Sequence, residues 1–249
     1  MMSAGEIDLT GKVALITGAA SGMGAATSQR LAGLGATVVG VDVNDALGTA
    51  VFEALGDPHR YRHHDVTDPA AWTALVDAVV AEQGRLDVVH LNAGLMSRPN
   101  GTPALDDPLA WFTVAAYRKV MGVNTDGVAF GIMAALPALA PGGRIVVTAS
   151  TAGLGPLTID PIYAASKHAL VGLTRSLAPT LAARGLGIDV ICPGGVDTGI
   201  VPPDLRQRVG TFAPASYIAD AVVTVLSDEH PGGVWEARSE ATGVRRVAD

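Results

Sequence analysis

The sequence predicts an α/β fold, a doubly wound and mostly parallel sheet of about seven strands flanked by helices, in a single domain over residues 1–249. Three observations carry that prediction. Short runs such as VALIT (13–17) are continuously apolar rather than alternating, as in strands covered on both faces. They alternate with stretches of helical periodicity, the β-α-β order that a parallel sheet requires. No low-complexity or Pro/Gly-rich linker divides the chain, and large α/β sheets occupy this length as one unit.

The elements follow in order. After the strand at 13–17 comes GMGAATSQRLAGLG, where Ala25, Ala26, Leu31 and Leu34 recur at helical spacing up to Gly35. ATVVGVD (36–42) is the second strand, a helix spans roughly 44–55, and HRYRHHD (59–65) is the third strand. A helix over about 69–83 opens on Asp68, whose side chain suits an N-cap. LDVVHLNAG carries a strand at 86–91, followed by helical segments near 107–122 and 124–136 and a strand at 143–149. A long helix covers about 162–184, LGIDVIC (186–192) is a strand, a helix lies near 215–228, and GGVWEA is the last strand. Residues 98–108 read as an exposed loop, 194–214 as a mobile flap, and the residues after the last strand as a polar tail.

Composition narrows the function classes. With 49% hydrophobic and 16% charged residues the chain has ample material for a core. Aromatics are 4%, the formal charge is −7, and the seventeen basic residues form no block, so no nucleic acid partner is expected. The single cysteine, Cys192, leaves no intrachain disulfide to make and reads as a packed small hydrophobe. No membrane partner is expected either: GVAFGIMAALPALAPG is short and broken by Pro137 and Pro141. MMSAGEIDLTG lacks a signal pattern, and a cytoplasmic location is the expectation.

Chemistry-bearing residues gather where strands end. TGAASGMG places glycines at 18, 22 and 24 between the first strand and a helix, where backbone N–H groups suit a pyrophosphate; a plain tight turn would use the same glycines. Asp42, ending the second strand, could accept from both hydroxyls of an adenosine ribose or simply be a solvated strand end. As a ribose ligand it would repel a 2′-phosphate, and neither Val43 nor Ala19, Ala20 and Ser21 offers a cation, which favours NAD over NADP. Together these features describe a Rossmann-type dinucleotide site. Asp65, at the end of the third strand, could accept from an adenine amino group. His63, His64 and Asp65 are adjacent strand residues pointing to opposite faces, no spaced ligand cluster joins them, and no metal is expected. Histidines 59, 90, 168 and 230 are scattered and read as structural.

At the other end of the site, Asn92 and Gly94 of LNAG can hold a turn against a cofactor. Asn124, in a mostly apolar helical region, needs partners for its amide, either its own backbone or an ordered water. Ser150 ends a strand at the ligand edge of the sheet. Tyr163 and Lys167, four apart, share a helix face. A cation beside a phenol draws its pKa from about 10 toward neutrality, giving an acid/base matched to alcohols and ketones. The same spacing also arises by chance in many helices.

Taken together, the motifs resemble those of the short-chain dehydrogenase/reductase family, over about residues 9 to 237. TGAASGMG resembles its TGxxxGxG turn, NAG at 92–94 its central strand-end motif, and Asn124 its tetrad asparagine. Ser150, thirteen residues before Tyr163, and YAASK resemble its Ser and YxxxK signatures, and PGGVDT (193–198) its PG-x-x-x-T segment. The resemblance implies that Tyr163 exchanges the proton with substrate oxygen and Ser150 polarises that oxygen. Lys167 would lower the tyrosine pKa and hold the nicotinamide ribose, and Asn124 would position a water linking Lys167 to solvent. It also implies dinucleotide contacts at Gly18, Ser21, Met23 and Gly24, at Asp42, Asp65 and Val66, and at Asn92, Ala93 and Gly94. Tyr163, Lys167, Pro193, Val196 and Thr198 complete that set, with Thr198 at the carboxamide side of the nicotinamide.

The implied activity is NAD-dependent interconversion of a secondary alcohol and a ketone. Ile200, Val201, Leu205 and Phe212, with Leu154, Leu157 and Ile159, suggest a mainly apolar substrate. An NADPH-dependent ketoreductase of 3-oxoacyl type and an NAD-binding regulatory module without turnover are the alternatives. The resemblance further implies a homodimer or homotetramer through the helices near 107–136 and 162–184. Three departures from the family stand out: Leu91 in place of a first asparagine, Asp189 where an asparagine is usual, and a tail without the closing glycine pair.

Overall fold

The computed structural model describes residues 7–99, 101–103, 106–201, 204 and 212–248. Its strands are β1 (Val13–Thr17), β2 (Thr37–Asp42), β3 (Arg60–His63), β4 (Val88–Leu91), β5 (Arg144–Thr148), β6 (Gly187–Pro193), β7 (Val234–Ala237) and β8 (Val244–Arg246). They form one sheet in the order β3-β2-β1-β4-β5-β6-β7-β8, parallel throughout except where β8 runs antiparallel to β7. The helices are α1 (Gly22–Gly33), α2 (Asp45–Leu55), α3 (Pro69–Gln83), α4 (Val114–Met121), α5 (Gly127–Ala135), α6 (Pro161–Ala182) and α7 (Ala215–Leu226).

Strand side chains alternate between two cores. Val13 and Leu15 join Trp72, Val79, Ile132 and Leu170 beneath α3, α5 and α6. Ala14 and Ile16 pack with Leu31, Phe52 and Val223 beneath α1, α2 and α7. Because β1 lies between β2 and β4, connections leave its two sides in opposite directions, and a crevice opens at the carboxyl ends of these strands.

Four expectations change. The polar tail is not featureless, since Val244–Arg246 pairs with β7 as an eighth strand. Glu236 of β7 is gripped by Arg238 and by Arg245, and Arg246 lies 5.8 Å over the Trp235 ring. The two helical segments expected near 107–122 and 124–136 are one rod from 114 to 135, with a π-turn at Gly122–Asp126 between α4 and α5. A single 3-10 turn, Pro108–Trp111, precedes it. Arg98, at the start of the expected exposed loop, has a buried side chain. The third strand is shorter than expected and stops at His63.

Asp189, the residue standing where an asparagine is usual, is a fully buried clamp. One carboxylate oxygen accepts from the N–H groups of Gly232 (3.0 Å) and Gly233 (2.8 Å) and from Trp235 Nε1 (3.2 Å). The other accepts from Arg144 Nη2 at 2.7 Å, joining β5, β6 and the approach to β7.

Candidate active site

The chain leaves β1 at Thr17 and turns through Gly18 (φ +67°) and Gly22 (φ +52°), left-handed conformations that a side chain would strain. At Gly24 a Cβ would run into the carbonyl of Gly18, so the loop lies tight on the start of α1 only because that residue is bare. No side chain caps α1 and no acidic residue sits in its first turn, which leaves its leading N–H groups open toward an anion.

A cleft of about 390 Å³ runs along this turn. It is lined by Asp42 and Asp65 after β2 and β3, by Asn92 to Leu95 after β4, and by Thr198 and Ile200 after β6. Of the expected dinucleotide residues, Gly18, Ser21, Met23, Asp42, Asp65, Val66, Asn92, Ala93, Gly94 and Thr198 line it. Gly24 contributes by its missing side chain. Pro193 is buried at the end of β6, and Val196 is buried in a bridge to Ala213, so both support the wall rather than form it. His64, Leu95, Val123 and Ile200 line the cleft without having been singled out as cofactor residues. Of the flap residues named for an apolar substrate, Leu205 lies outside the described residues, while Phe212 packs against Gly195.

Asp42 is oriented by the loops around it. Its Oδ2 accepts from Ala20 N (3.1 Å) and its Oδ1 from Asn44 N (3.0 Å), leaving a lone pair on each oxygen. Among the described residues that line the cleft, none is Lys or Arg. Asp65 Oδ1 accepts from the N–H (2.9 Å) and hydroxyl (2.8 Å) of Thr67, which hold its carboxyl below the usual range. Thr17 is a functional residue that sequence reading missed. Its hydroxyl accepts from the N–H of Asn92 (2.9 Å) and of Ala93 (3.0 Å), and its carbonyl accepts from Asn92 Nδ2 at 3.1 Å. Asn92 Oδ1 is buried and has no protein partner.

The reacting end sits behind Gly94. A Cβ on Gly94 would stand 3.3 Å from Lys167 Nζ and 3.4 Å from Asn124 Oδ1, so both groups face the same bare backbone. Lys167 is 3% exposed, its Nζ donates to the carbonyl of Thr148 at 2.9 Å, and it lies 5.5 Å from the centre of the Tyr163 ring. Ser150 Oγ accepts from Ala152 N at 3.1 Å, capping the turn Thr151–Gly153. The amide of Asn124 is spent neither on its own turn nor on a helix cap. Its Oδ1 accepts from Leu95 N (2.9 Å), and its Nδ2 donates to Leu95 O (2.9 Å) and Ser166 Oγ (3.0 Å). Ser166 in turn donates to the carbonyl of Tyr163 at 2.7 Å.

One expectation is reversed. Among the protein's own groups the Tyr163 pKa is not drawn toward neutrality but pushed up to about 12. Burial is the main cause; the Ser150 hydroxyl pulls the other way, and Asp160 and Cys192 push further up. Lys167 is itself desolvated, its pKa pulled down to about 8, and its ammonium is aimed at the Thr148 carbonyl.

His90 is fully buried, with Nε2 2.8 Å from Thr148 Oγ1, and burial pulls its pKa down to about 3. Among the described residues no group of three or more His, Cys, Asp or Glu could hold a metal ion, and no helix is long and apolar enough to cross a membrane.

Comparison with known proteins bears on this site. The pattern of the family described as short chain dehydrogenase matches residues 12–208. The 3-alpha-(or 20-beta)-hydroxysteroid dehydrogenase of Mycobacterium tuberculosis (strain ATCC 25618 / H37Rv) is 37% identical over 97% of this chain and 89% of its own. A short chain dehydrogenase from Burkholderia cenocepacia J2315, solved in complex with NADP, superposes with a TM-score of 0.83 at 32% identity, covering 95% of this chain and all of that one. A 3-ketoacyl-(acyl-carrier-protein) reductase from Brucella melitensis, complexed with NADH, superposes at 0.80 with 26% identity, covering 92% and 97%.

Proposed function

The chain belongs to the short-chain dehydrogenase/reductase family and acts as an NAD(P)-dependent oxidoreductase on small organic substrates, and we propose that it uses NAD to interconvert a secondary alcohol and a ketone. The observation that carries the cofactor choice is Asp42. Fixed by Ala20 and Asn44 at the end of β2, it keeps a lone pair on each oxygen for the two ribose hydroxyls. The same carboxylate opposes a 2′-phosphate, and among the described lining residues no Lys or Arg compensates. The residues fit a dinucleotide: the bare Gly24, the uncapped start of α1 and the free acceptor of Asn92 all face or shape the cleft. The relatives solved with NADP and with NADH bind those cofactors for themselves; the choice for this chain rests on Asp42.

NAD, when bound, supplies or accepts the hydride at its nicotinamide ring. The chain's own residues manage the proton. Tyr163 gives its phenolic proton to the carbonyl oxygen in reduction and takes it back in oxidation. Ser150 Oγ accepts from Ala152 N and its hydroxyl is hydrogen-bonded to the Tyr163 phenol, so a small rotation turns the same O–H to a substrate oxygen beside Tyr163. Lys167, held by Thr148, places a cation behind Gly94, where it stabilises the charge left when Tyr163 loses its proton and contacts the ribose. Asn124 shares that wall and forms, with a water, the exit for the proton from Lys167. The wall residues Leu95, Val123 and Ile200 and the resemblance to a hydroxysteroid dehydrogenase together favour an apolar, cyclic secondary alcohol.

The test is a turnover screen of hydroxysteroids and alicyclic secondary alcohols, each assayed with NAD and with NADP by nicotinamide absorbance. NAD is expected to give at least roughly tenfold higher kcat/KM, a preference that Asp42→Asn narrows. Faster turnover with NADP would overturn the cofactor assignment.

A further inference from the structure

We propose that Asp160 is a positioning residue for Tyr163, one that pins the loop after β4 to the start of the catalytic helix and sets a buried negative charge beside the phenol. The proposal rests on the reading of Tyr163 as the proton-exchanging group. Asp160 is 1% exposed and stands immediately before Pro161, the first residue of α6. Its carboxylate makes three contacts and bridges two segments. Oδ1 accepts from Tyr163 N (3.0 Å) and from Ser97 Oγ (2.6 Å), and Oδ2 accepts from Ser97 N (2.8 Å).

The bond to Tyr163 N is an N-cap bond made to the very residue whose side chain does the chemistry. The bonds to Ser97 do for the end of the β4 loop what Asn124 does for Leu95, two residues earlier. The segment after β4 and the catalytic helix are thus locked at two points, one from the π-turn and one from the cap. Asp160 also has an electrostatic effect, since a buried anion near a phenol disfavours the phenolate, and Asp160 pushes Tyr163 upward. The other groups facing the phenol are Ser150 after β5, Cys192 on β6 and Lys167 one turn along α6. Arg98, which follows Ser97, is buried too.

Asp160→Asn keeps the size and removes the charge. The acid limb of the pH profile for NAD-linked alcohol oxidation is expected to move down by roughly half a pH unit or more. Ser97→Ala, which cuts one tether and leaves the charge, is expected to leave that limb in place. A second readout needs no turnover: NMR of protein carrying 13C at the tyrosine ζ position, with Tyr163→Phe identifying the signal. In wild type the Tyr163 signal should stay that of a phenol up to about pH 11, and in Asp160→Asn it should begin to titrate earlier. A folded Asp160→Asn with the wild-type limb, or with the wild-type Tyr163 titration, overturns the proposal. If Asp160→Asn does not fold, Asp160→Thr, which retains a cap without the charge, is judged by the same two measurements. Absence of turnover in wild type would sink the oxidoreductase reading alone, because the NMR titration still reports on Asp160.

Discussion

His90 shows how a single buried base ties the active-site strand to pH. In the unfolded chain it titrates near 6.5, whereas in the fold its pKa lies at about 3. Between those values the unfolded state binds more protons, so stability is full above about pH 6.5 and is lost as pH falls toward 3. The slope from this one group approaches ~1.4 kcal/mol per pH unit. His59 and His64 are lowered by burial as well and add in the same direction. Replacing His90 with Val leaves the Thr148 hydroxyl without its partner, and this variant is expected to be less stable at neutral pH. Urea unfolding should nevertheless show the gap to wild type closing steadily below about pH 6. Parallel stability curves for the two proteins would mean that His90 takes up its proton without unfolding.

Among the elements, the clamp at Asp189 makes the clearest energetic prediction. Asp189→Ala removes the counter-ion of the largely buried Arg144, which keeps the carbonyls of Val225 and Asp228 as partners, and takes the acceptor from two backbone N–H groups and Trp235 Nε1. A loss of about 3–5 kcal/mol is expected, read as a lower urea midpoint at unchanged slope. Asp189→Asn keeps one acceptor and should lose less. Asp189 was visible in the sequence only as a departure from a family habit, because its partners lie 43 to 46 residues away along the chain. The same reason hid Thr17, Ser166 and Asp160, whose contacts span 75, 42 and 63 residues. By contrast the glycine turn, LNAG and YAASK were legible because their chemistry is local, fixed by spacing within one turn of chain. Strands β1, β2, β4, β5 and β6 were legible from their mostly apolar runs. β8 was not, since VRR is short and charged and is held by Glu236 and Trp235 of its neighbour rather than by a pattern of its own. The π-turn at Gly122–Asp126 inserts an extra residue and shifts the helical phase, which made one rod read as two helices.

At the scale of the whole molecule, the rod α4–α5 leaves apolar side chains in solvent. Val114, Tyr117 and Met133 on it, with Leu109 and Phe112 just before it, are all exposed. Such a patch fits a self-complementary contact, and a homodimer or homotetramer is expected by light scattering at micromolar concentration. Phe112→Glu combined with Tyr117→Glu should shift the mass toward the monomer while the cleft stays intact; a wild-type monomer would contradict this reading. The larger claim concerns what the cleft does with a proton. It is tested most directly by comparing Tyr163→Phe with wild type in kcat/KM for an alcohol that wild type oxidises and, in parallel, in affinity for NAD. Loss of the phenol should lower kcat/KM by roughly 10²–10⁴-fold and leave NAD binding within about twofold. Turnover by Tyr163→Phe at the wild-type rate would contradict the assignment of Tyr163 as the acid/base.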